Sequence, residues 1–327
     1  MKKPFDLVIL GHMAMDTVIH VENGKRNVHT VSSGGAVTFG SLAAKTSDPS
    51  ARIGIGSKIG KDFPAELLQP FKQKDIDLSC LLVDEKSPST RFELVYDAGK
   101  RTVSCPARCS ELLFADFPPE LWTGKRFHVG AICREISLPF IEQMGKAIAG
   151  RAPVGIDLQG VLRDISPDGR VGLISQENAF AATRKIYDVF GERLFIKGDD
   201  FECAAVSGID EPIKCIEYLL AEFKESTIML TLGRKGSYLG KNVGRKAKIE
   251  RIPAFKPAKI VDETGAGDTF LVSFLSRLGN SSCSIDACKD AALFASAASS
   301  FLVEDTRCKG LRSSEAILAR VKQAIYM

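Results

Sequence analysis

Residues 259–270, KIVDETGAGDTF, place two glycines and an alanine directly before an aspartate and an apolar stretch. The apolar residues after this aspartate recur at intervals of three and four, which predicts a helix that starts at the turn Gly265-Ala266-Gly267. Unpaired N–H groups and the positive end of the helix dipole favour an anion at a helix N-terminus. Because glycine has no side chain, a phosphate can approach this backbone closely. The turn is therefore predicted to bind a phosphate.

Asp268 lies in the first helical turn, beside the predicted phosphate. The phosphate would repel an ionised carboxylate unless the carboxylate acts on a group that arrives from the other side. A hydroxyl group in line with the phosphorus is such a group, because the aspartate can orient it and accept its proton. The N–H groups of the turn would meanwhile stabilise the charge on the transferred phosphoryl group. The alternative, an aspartate that only stabilises the helix start through the dipole, is disfavoured by the glycine turn and by Asp262.

Bulk composition bounds the class of protein. The 327 residues carry a net charge of +4 without any run of five like charges, so nucleic acid is not expected as a partner. Nine cysteines, an odd number without a C-x-x-C pair, fit a reduced, cytoplasmic setting. No apolar run approaches the roughly 20 residues of a membrane helix, so no membrane partner is expected either. The histidines show no metal spacing, and no P-loop motif is present.

Strand-like and helix-like segments alternate along most of the chain, which predicts an α/β protein with parallel strands and crossover helices. The strand-like segments are 5–11, 52–60, 127–132, 153–157, 194–197 and 227–233, and residues 257–261 (PAKIV) read as a further strand. Two regions, 17–31 and 91–104, read instead as hairpins. We expect them to form a small sheet laid over the edge of the main domain as a lid. Residues 1–327 are thus expected to form one domain.

The motif VDETGAGDTF resembles the C-terminal signature of the phosphofructokinase B (PfkB, ribokinase-like) family of ATP-dependent small-molecule kinases. Further segments that resemble this family occur in the family's order from about residue 8 to residue 305. They are ILGHMAMDTVI, SSGGAVTF, IGSKIGKDFP, IKGDDFECAAVSG and TLGRKGSYL. The resemblance implies a ribokinase-like three-layer α/β/α domain, with a mostly parallel central sheet and a small β-sheet lid. It also implies a phosphotransferase with an alcohol group as acceptor.

The resemblance further implies the roles of individual residues. In the family's pattern Asp268 is the catalytic base, and the anion hole consists of Gly265, Ala266 and Gly267. The acceptor is implied to bind at Asp16, Gly34, Gly35 and Phe39. The nucleotide is implied to bind at Lys197, Thr231, Gly233, Gly236 and Thr264. Glu202, acting through water, and Asp199 are implied to hold magnesium. Arg163, six residues after Asp157, either reaches the substrate mouth or is an ordinary surface charge.

ATP and Mg²⁺ are the cofactors that the resemblance implies, and it leaves a monovalent cation and a homodimer open. Several segments lean toward the myo-inositol kinase-like branch, namely GGAVTF and residues 100–118, 155–173 and 299–310. Phe39 replaces the asparagine of ribokinases, which argues against ribose. Asp199 replaces an asparagine and Glu263 a common threonine.

A sugar or polyol is therefore the expected acceptor, with myo-inositol as a candidate. Nucleosides are the alternative acceptors. Sugar phosphates are less attractive because no cluster of Arg and Lys lies near the segments implied to bind the acceptor. A non-catalytic sugar or nucleotide sensor is an alternative of another class, and the retained Asp268 and glycine turn speak against it.

Overall fold

The apolar segments predicted as strands lie in one central sheet. In the residues that the computed structural model describes (3–22, 24–97, 100–148, 152–278 and 283–327), this sheet has nine strands. They are β1 (Leu7–Leu10), β4 (Ile53–Gly60), β5 (Leu81–Asp84), β8 (Phe127–Val129), β9 (Val154–Asp157), β12 (Leu194–Asp199), β13 (Thr227–Thr231), β14 (Ser237–Val243) and β15 (Lys246–Ile252). Their order is β15-β14-β13-β12-β9-β8-β1-β4-β5. All neighbours from β13 to β5 pair in parallel, whereas β14 pairs antiparallel with both β13 and β15.

Helices cover both faces of this sheet. They are α1 (Gly35–Ser47), α2 (Gln69–Gln73), α3 (Leu138–Ala147), α4 (Leu158–Leu162), α5 (Gln176–Phe190), α6 (Asp200–Ser207), α7 (Pro212–Glu222), α8 (Ala266–Leu278), α9 (Ile285–Leu302) and α10 (Ser314–Gln323). Because successive side chains of a strand point to opposite faces, Val8 and Leu10 of β1 pack in one core with α3, α5 and α7. Leu7 and Ile9 pack in the other core, with α1, α8 and α9. The predicted three-layer α/β/α architecture is confirmed.

A small separate sheet contains the segments predicted as hairpins. Within the described residues it has four strands, β2 (Ala14–Glu22), β3 (Lys25–Gly34), β6 (Arg91–Asp97) and β7 (Lys100–Ala107), in the order β3-β2-β6-β7. β2 pairs antiparallel with β3, and β6 with β7, while the parallel pair β2–β6 joins the two hairpins. One further short hairpin consists of β10 (Arg163–Ile165) and β11 (Val171–Leu173). The small sheet thereby places β2 and β6 side by side.

The prediction of a strand at residues 257–261 is wrong. The amide of Val261 donates to the carbonyl of Val303 at 2.7 Å, and the amide of Ala258 donates to Oε1 of Glu304 at 2.8 Å. The main chain of this segment is therefore bound to the end of α9 and to the loop after it. Ile260 and Val261 are largely exposed, so the apolar pattern that suggested a strand does not mark a buried one. The sheet ends instead at β15, which was not predicted.

Three parallel strands end at one edge of the sheet in polar residues, Asp157 on β9, Asp199 on β12 and Thr231 on β13. The carboxyl ends of parallel strands are where open α/β sheets bind ligands. No helix among the described residues is both long and apolar enough to span a membrane.

Candidate active site

A cavity of about 550 Å³ opens at this edge of the sheet, between the carboxyl ends of β9, β12 and β13, the start of α8 and the small sheet. Every site residue predicted from the sequence lines this cavity, except Gly34. The fold therefore brings together residues from both ends of the chain, from Asp16 to Asp268.

The predicted phosphate-binding turn forms the start of α8. Gly265 has a φ of +81°, and a Cβ atom there would clash with the ring of Phe39, so only glycine fits. Ala266 and Gly267 are the first two residues of the helix, and the first helical hydrogen bond runs from Thr269 N to Gly265 O at 2.9 Å. The amides of the preceding helical residues belong to the first turn, which an α-helix leaves without intrahelical partners. The amide of Ala266 already donates to the carbonyl of Glu263 at 3.3 Å, so the amides of Gly267 and Asp268 are the donors available to an anion.

Lys197 lies directly beneath this turn. A Cβ atom on Gly267 would be 2.9 Å from its Nζ atom. The buried Nζ donates to Oδ2 of Asp157 at 2.8 Å and lies 4.0 Å from Oε2 of Glu202. Burial alone disfavours the charged amine, but Asp157 and Glu202 outweigh it and raise the pKa of Lys197. Lys197 therefore keeps its positive charge next to the predicted phosphate-binding turn, where it attracts an anion.

Asp268 is half-buried at the same turn and lines the cavity. Its burial raises its pKa to about 7, and the negative charge of Asp157 adds to this rise, while Lys197 and Arg163 oppose it. A carboxyl group with this pKa exchanges its proton near neutral pH, which is what a general base requires. The environment of Asp268 thus differs from that of an exposed aspartate that only stabilises a helix start.

Asp199 and Glu202 form a capping box at the start of α6. Oδ1 of Asp199 accepts from the amide of Glu202, and Oε2 of Glu202 accepts from the amide of Asp199, both at 2.8 Å. Burial raises the pKa of Glu202 to about 7, although Lys197 opposes this rise. Each carboxylate uses one oxygen in the cap, so each has a second oxygen. Because both residues line the cavity, this oxygen donor set fits a magnesium ion, which prefers carboxylates and keeps several waters.

Asp16, on β2, occupies the opposite end of the cavity and is 6% exposed. Gly34 does not line the cavity, but a Cβ atom there would clash with the Asp16 carboxylate. Gly35 has a φ of +83°, and a Cβ atom there would be 2.6 Å from the carbonyl oxygen of His12. The two glycines therefore make room for the carboxylate and for the bend from β3 into α1.

An apolar wall from the small sheet covers this end of the cavity. Phe92 and Leu94 of β6 and Val103 of β7 all line it. Arg163, for which the sequence left open a place at the substrate mouth or an ordinary surface charge, also lines the cavity. Its Nη1 donates to Ile132 O at 2.9 Å, and its guanidinium carbon lies 5.3 Å from the centroid of the Phe92 ring. The acceptor end thus combines one carboxylate, one cation and an apolar wall.

The nucleotide half contains Thr231, Gly233, Gly236 and Thr264, as predicted, together with apolar residues that the sequence did not single out. Thr231 Oγ1 donates to Gly198 O at 3.3 Å. The apolar residues that line this half are Phe201, Phe255, Pro257, Ile260 and Met327. Phe201 is 75% exposed, which is unusual for a large aromatic side chain without a partner surface.

Arg307 was also missed by sequence reasoning. Its Nη2 donates to Oδ2 of Asp16 at 2.6 Å across 291 positions of the chain. No short-range pattern signals such a pair, because only the fold brings the two residues together.

His12, Cys133 and Glu135 form a second cluster of residues that could bind a metal. Their ligand-type atoms lie within 4.8 Å of one another. These atoms are already engaged. Glu135 accepts from the amides of His12, Ile132 and Cys133, and the His12 ring bonds to Thr90 Oγ1 and Ser110 O. We assign it to structure rather than to metal binding.

Several solved kinase structures have a similar fold. The structure of the ribokinase of Arabidopsis thaliana, complexed with ribose and ATP, is similar with a TM-score of 0.73 and 19% identity, covering 98% of this chain and 99% of that one. This likeness shows that the protein has a ribokinase-like fold.

The family follows from a match along nearly the whole chain. A family model described as pfkB family carbohydrate kinase matches residues 5–313, and the chain belongs to this family. It is a phosphotransferase that acts on a hydroxyl group. Among curated relatives, the cytidine kinase of Thermococcus kodakarensis is 23% identical over 83% of this chain and 87% of its own length. The inositol 3-kinase of Arabidopsis thaliana is 26% identical over 81% of this chain and 65% of its own length.

Proposed function

We propose that this protein transfers the γ-phosphoryl group of ATP to a hydroxyl group of an uncharged sugar or polyol, with myo-inositol as the leading candidate. The observation that carries the proposal is the position of Asp268. It is half-buried, with its pKa raised to about 7, at the glycine turn that begins α8, and Asp16 lines the same cavity.

The reaction follows from these positions. The amides at the start of α8 and the Lys197 amine stabilise the charge on the transferred phosphoryl group. Asp268 orients the acceptor hydroxyl toward the phosphorus and takes its proton. Asp16 holds neighbouring hydroxyls of the acceptor and so fixes which hydroxyl faces Asp268.

Asp199 and Glu202 are the residues proposed to hold magnesium, with Glu202 acting through water. When bound, the ion neutralises charge on the phosphates of the nucleotide. The capping box fixes both carboxylates to the first turn of α6, which keeps them at the end of β12 beside the nucleotide half.

The charge of the cavity favours an acceptor without a phosphate of its own. Among the described lining residues, seven carry a carboxyl group and three carry a cation. The acidic ones are Asp16, Asp157, Asp199, Asp200, Glu202, Glu263 and Asp268, and the basic ones are Arg163, Lys197 and Arg234. At the acceptor end, the carboxyl groups of Asp16 and Asp268 would repel an acceptor that already carries phosphate.

The apolar wall supports a ring-shaped acceptor. The faces of a cyclitol or sugar ring present C–H groups, which can contact Phe92 and Leu94 while the hydroxyls point to Asp16. Phe39 contributes little to this wall, because its ring is buried and packs against Gly265.

A nucleoside is the second candidate acceptor, and the same wall favours it. An apolar surface with a guanidinium stacked on an aromatic ring, as Arg163 is on Phe92, also suits a nucleobase. Similarity to a cytidine kinase adds to this alternative.

An ADP-release assay over inositol, hexoses, ribose, sugar phosphates and nucleosides tests the proposal. Pyrophosphate is offered as a second donor in parallel, with release of inorganic phosphate as its readout. We expect the highest kcat/KM with an uncharged polyol or free sugar and with ATP. If a nucleoside or a sugar phosphate is turned over far faster, the proposed acceptor class is wrong. If only pyrophosphate supports turnover, the proposed donor is wrong. Absence of any turnover, with sugar binding intact, would favour a sensor.

A further inference from the structure

Arg307 touches both the acceptor end of the cavity and the loop that leads into the phosphate-binding turn. Its Nη2 donates to Asp16 Oδ2 at 2.6 Å and to the carbonyl of Ser33 at 2.9 Å. The side chains of this ion pair are only 16% and 8% exposed. Ser33 lies one residue before Gly34, so Arg307 binds both the Asp16 carboxylate and the end of β3.

The remaining contacts of Arg307 lead toward the phosphate-binding turn. Its backbone amide donates to Asp262 Oδ2 at 3.1 Å, and the other oxygen of Asp262 accepts from the amide of Thr264 at 2.9 Å. Its guanidinium carbon lies 5.0 Å from the centroid of the Phe39 ring, against which Gly265 packs. Arg307 therefore contacts Asp16 and also two residues next to the phosphate-binding turn, Asp262 and Phe39.

The local conformation of Arg307 is unfavourable by itself. Its φ is +54°, a region that non-glycine residues rarely adopt. Among the described residues, its Nε and Nη1 atoms are buried without a hydrogen-bond partner. Unsatisfied donors and strained backbone destabilise a protein and are concentrated at functional sites. The placement of Arg307 is therefore not explained by stability.

We propose that Arg307 is a positioning residue. It fixes the orientation of the Asp16 carboxylate toward the acceptor hydroxyls, and its guanidinium links that carboxylate to the phosphate-binding turn through the ring of Phe39. Arg307 is not among the residues that line the cavity, so it acts through these partners. The proposal rests on the proposed function only in taking Asp16 as the residue that holds the acceptor.

The variants Arg307→Met and Arg307→Lys test the first half of the proposal, and Arg184→Met is the matched control. Arg184 likewise donates to a carboxylate and to a main-chain carbonyl, both of Glu222, and its guanidinium carbon lies 5.1 Å from the centroid of the Phe223 ring. It bridges α5 and α7 and does not line the cavity. The control therefore removes similar interactions elsewhere.

Kinetics with the best acceptor of the panel give the first readout. We expect Arg307→Met to raise the KM for the acceptor at least about tenfold, the usual effect of losing a charge-assisted hydrogen bond, while the KM for ATP stays within about twofold. Arg307→Lys should restore part of this loss, because it keeps the charge without the planar fork. An acceptor KM within about twofold of the wild type in Arg307→Met, or the same change in Arg184→Met, would overturn the proposal.

Hydrogen–deuterium exchange gives a readout that needs no acceptor. We expect faster exchange of residues 262–268 in Arg307→Met, unchanged exchange of residues 194–199, and wild-type exchange of both in Arg184→Met. Unchanged exchange at 262–268 would overturn the link to the turn. If the wild type phosphorylates no acceptor in the panel, the proposed function fails, and the exchange measurement still decides the role of Arg307.

Discussion

The Nζ atom of Lys197 lies 2.9 Å from the position that a Cβ atom would occupy on Gly267. Lys197 belongs to a buried strand of the central sheet, and Gly267 belongs to the first turn of α8. A displaced amine would have to give up its 2.8 Å hydrogen bond to Asp157. Glycine at position 267 therefore leaves space for the Lys197 amine as well as for a phosphate bound at the turn.

We predict that Gly267→Val lowers kcat by roughly 100-fold, with a smaller effect on the KM for ATP. The valine would displace Lys197 and intrude where the phosphoryl group is transferred, and removing an oxyanion-type donor costs about 3 kcal/mol. Gly172→Val is the control, because a Cβ atom there meets only Asp164 O at 4.0 Å. An unchanged kcat with only a raised KM for ATP would contradict this expectation.

Asp268→Asn is expected to lower turnover by roughly 10²–10⁴-fold, the usual contribution of a general base, and to leave ATP binding nearly intact. Asp200→Asn serves as control, since Asp200 also lies in a first helical turn and lines the cavity but is exposed. Steady-state kinetics on both purified variants make the comparison. Near-normal turnover of Asp268→Asn would exclude Asp268 as the base.

The pH dependence of kcat/KM should show an acidic limb centred near pH 7, to within about one unit. Asp268 must be deprotonated to accept the hydroxyl proton, and burial raises its pKa to about 7, with Asp157 adding to the rise. The rate should therefore fall about tenfold for each pH unit below that value. A limb near pH 4, the range of an ordinary aspartate, would show that a different group controls the rate.

Asp268 should also make the folded protein less stable as the pH rises. Its pKa is raised from 3.8 to about 7, so between these values the folded state holds a proton that the unfolded state has lost. Its contribution to stability is fully present below pH 3.8 and disappears as the pH rises through about 7. Asp268→Asn should therefore have a higher Tm than the wild type at pH 8, and this difference should vanish toward pH 4. An equal Tm at pH 8, measured by calorimetry, would refute this.

Asp16→Ala should raise the KM for the acceptor steeply and leave ATP affinity, measured without acceptor, almost unchanged. Each charge-assisted hydrogen bond from an acceptor hydroxyl is worth roughly 1.5–3 kcal/mol. Gly34→Ala should act in the same direction, because its methyl group would push the Asp16 carboxylate aside. Equal effects on the two substrates would show that Asp16 does not hold the acceptor.

Much of the fold could be predicted because its signals are local. The buried strands of the parallel sheet have continuous apolar segments, and the glycine turn before α8 marks a helix start. The residues around that turn, including Asp268, could be placed because their spacing alone implies the chemistry.

Other features could not be predicted because they depend on long-range packing. β15 alternates lysines with apolar residues at an exposed edge, a pattern that also fits a solvated loop. Residues 257–261 look like a strand by composition, yet their amides bond to Val303 and to Glu304. The contact of Arg307 with Asp16 likewise exists only once the sheet and the helices have assembled.

The ion pair between Asp16 and Arg307 also bears on how the protein is made. A ribosome releases the N-terminal residue of this pair long before the C-terminal one, and 291 positions separate them. Nascent chains fold from their N-terminal part as they emerge, so the small sheet can form early while its carboxylate still lacks its partner. The Asp16 carboxylate gains this partner only after residues up to 307 have left the exit tunnel. A ribosome-bound chain stalled before that point therefore lacks the contact proposed to orient the acceptor.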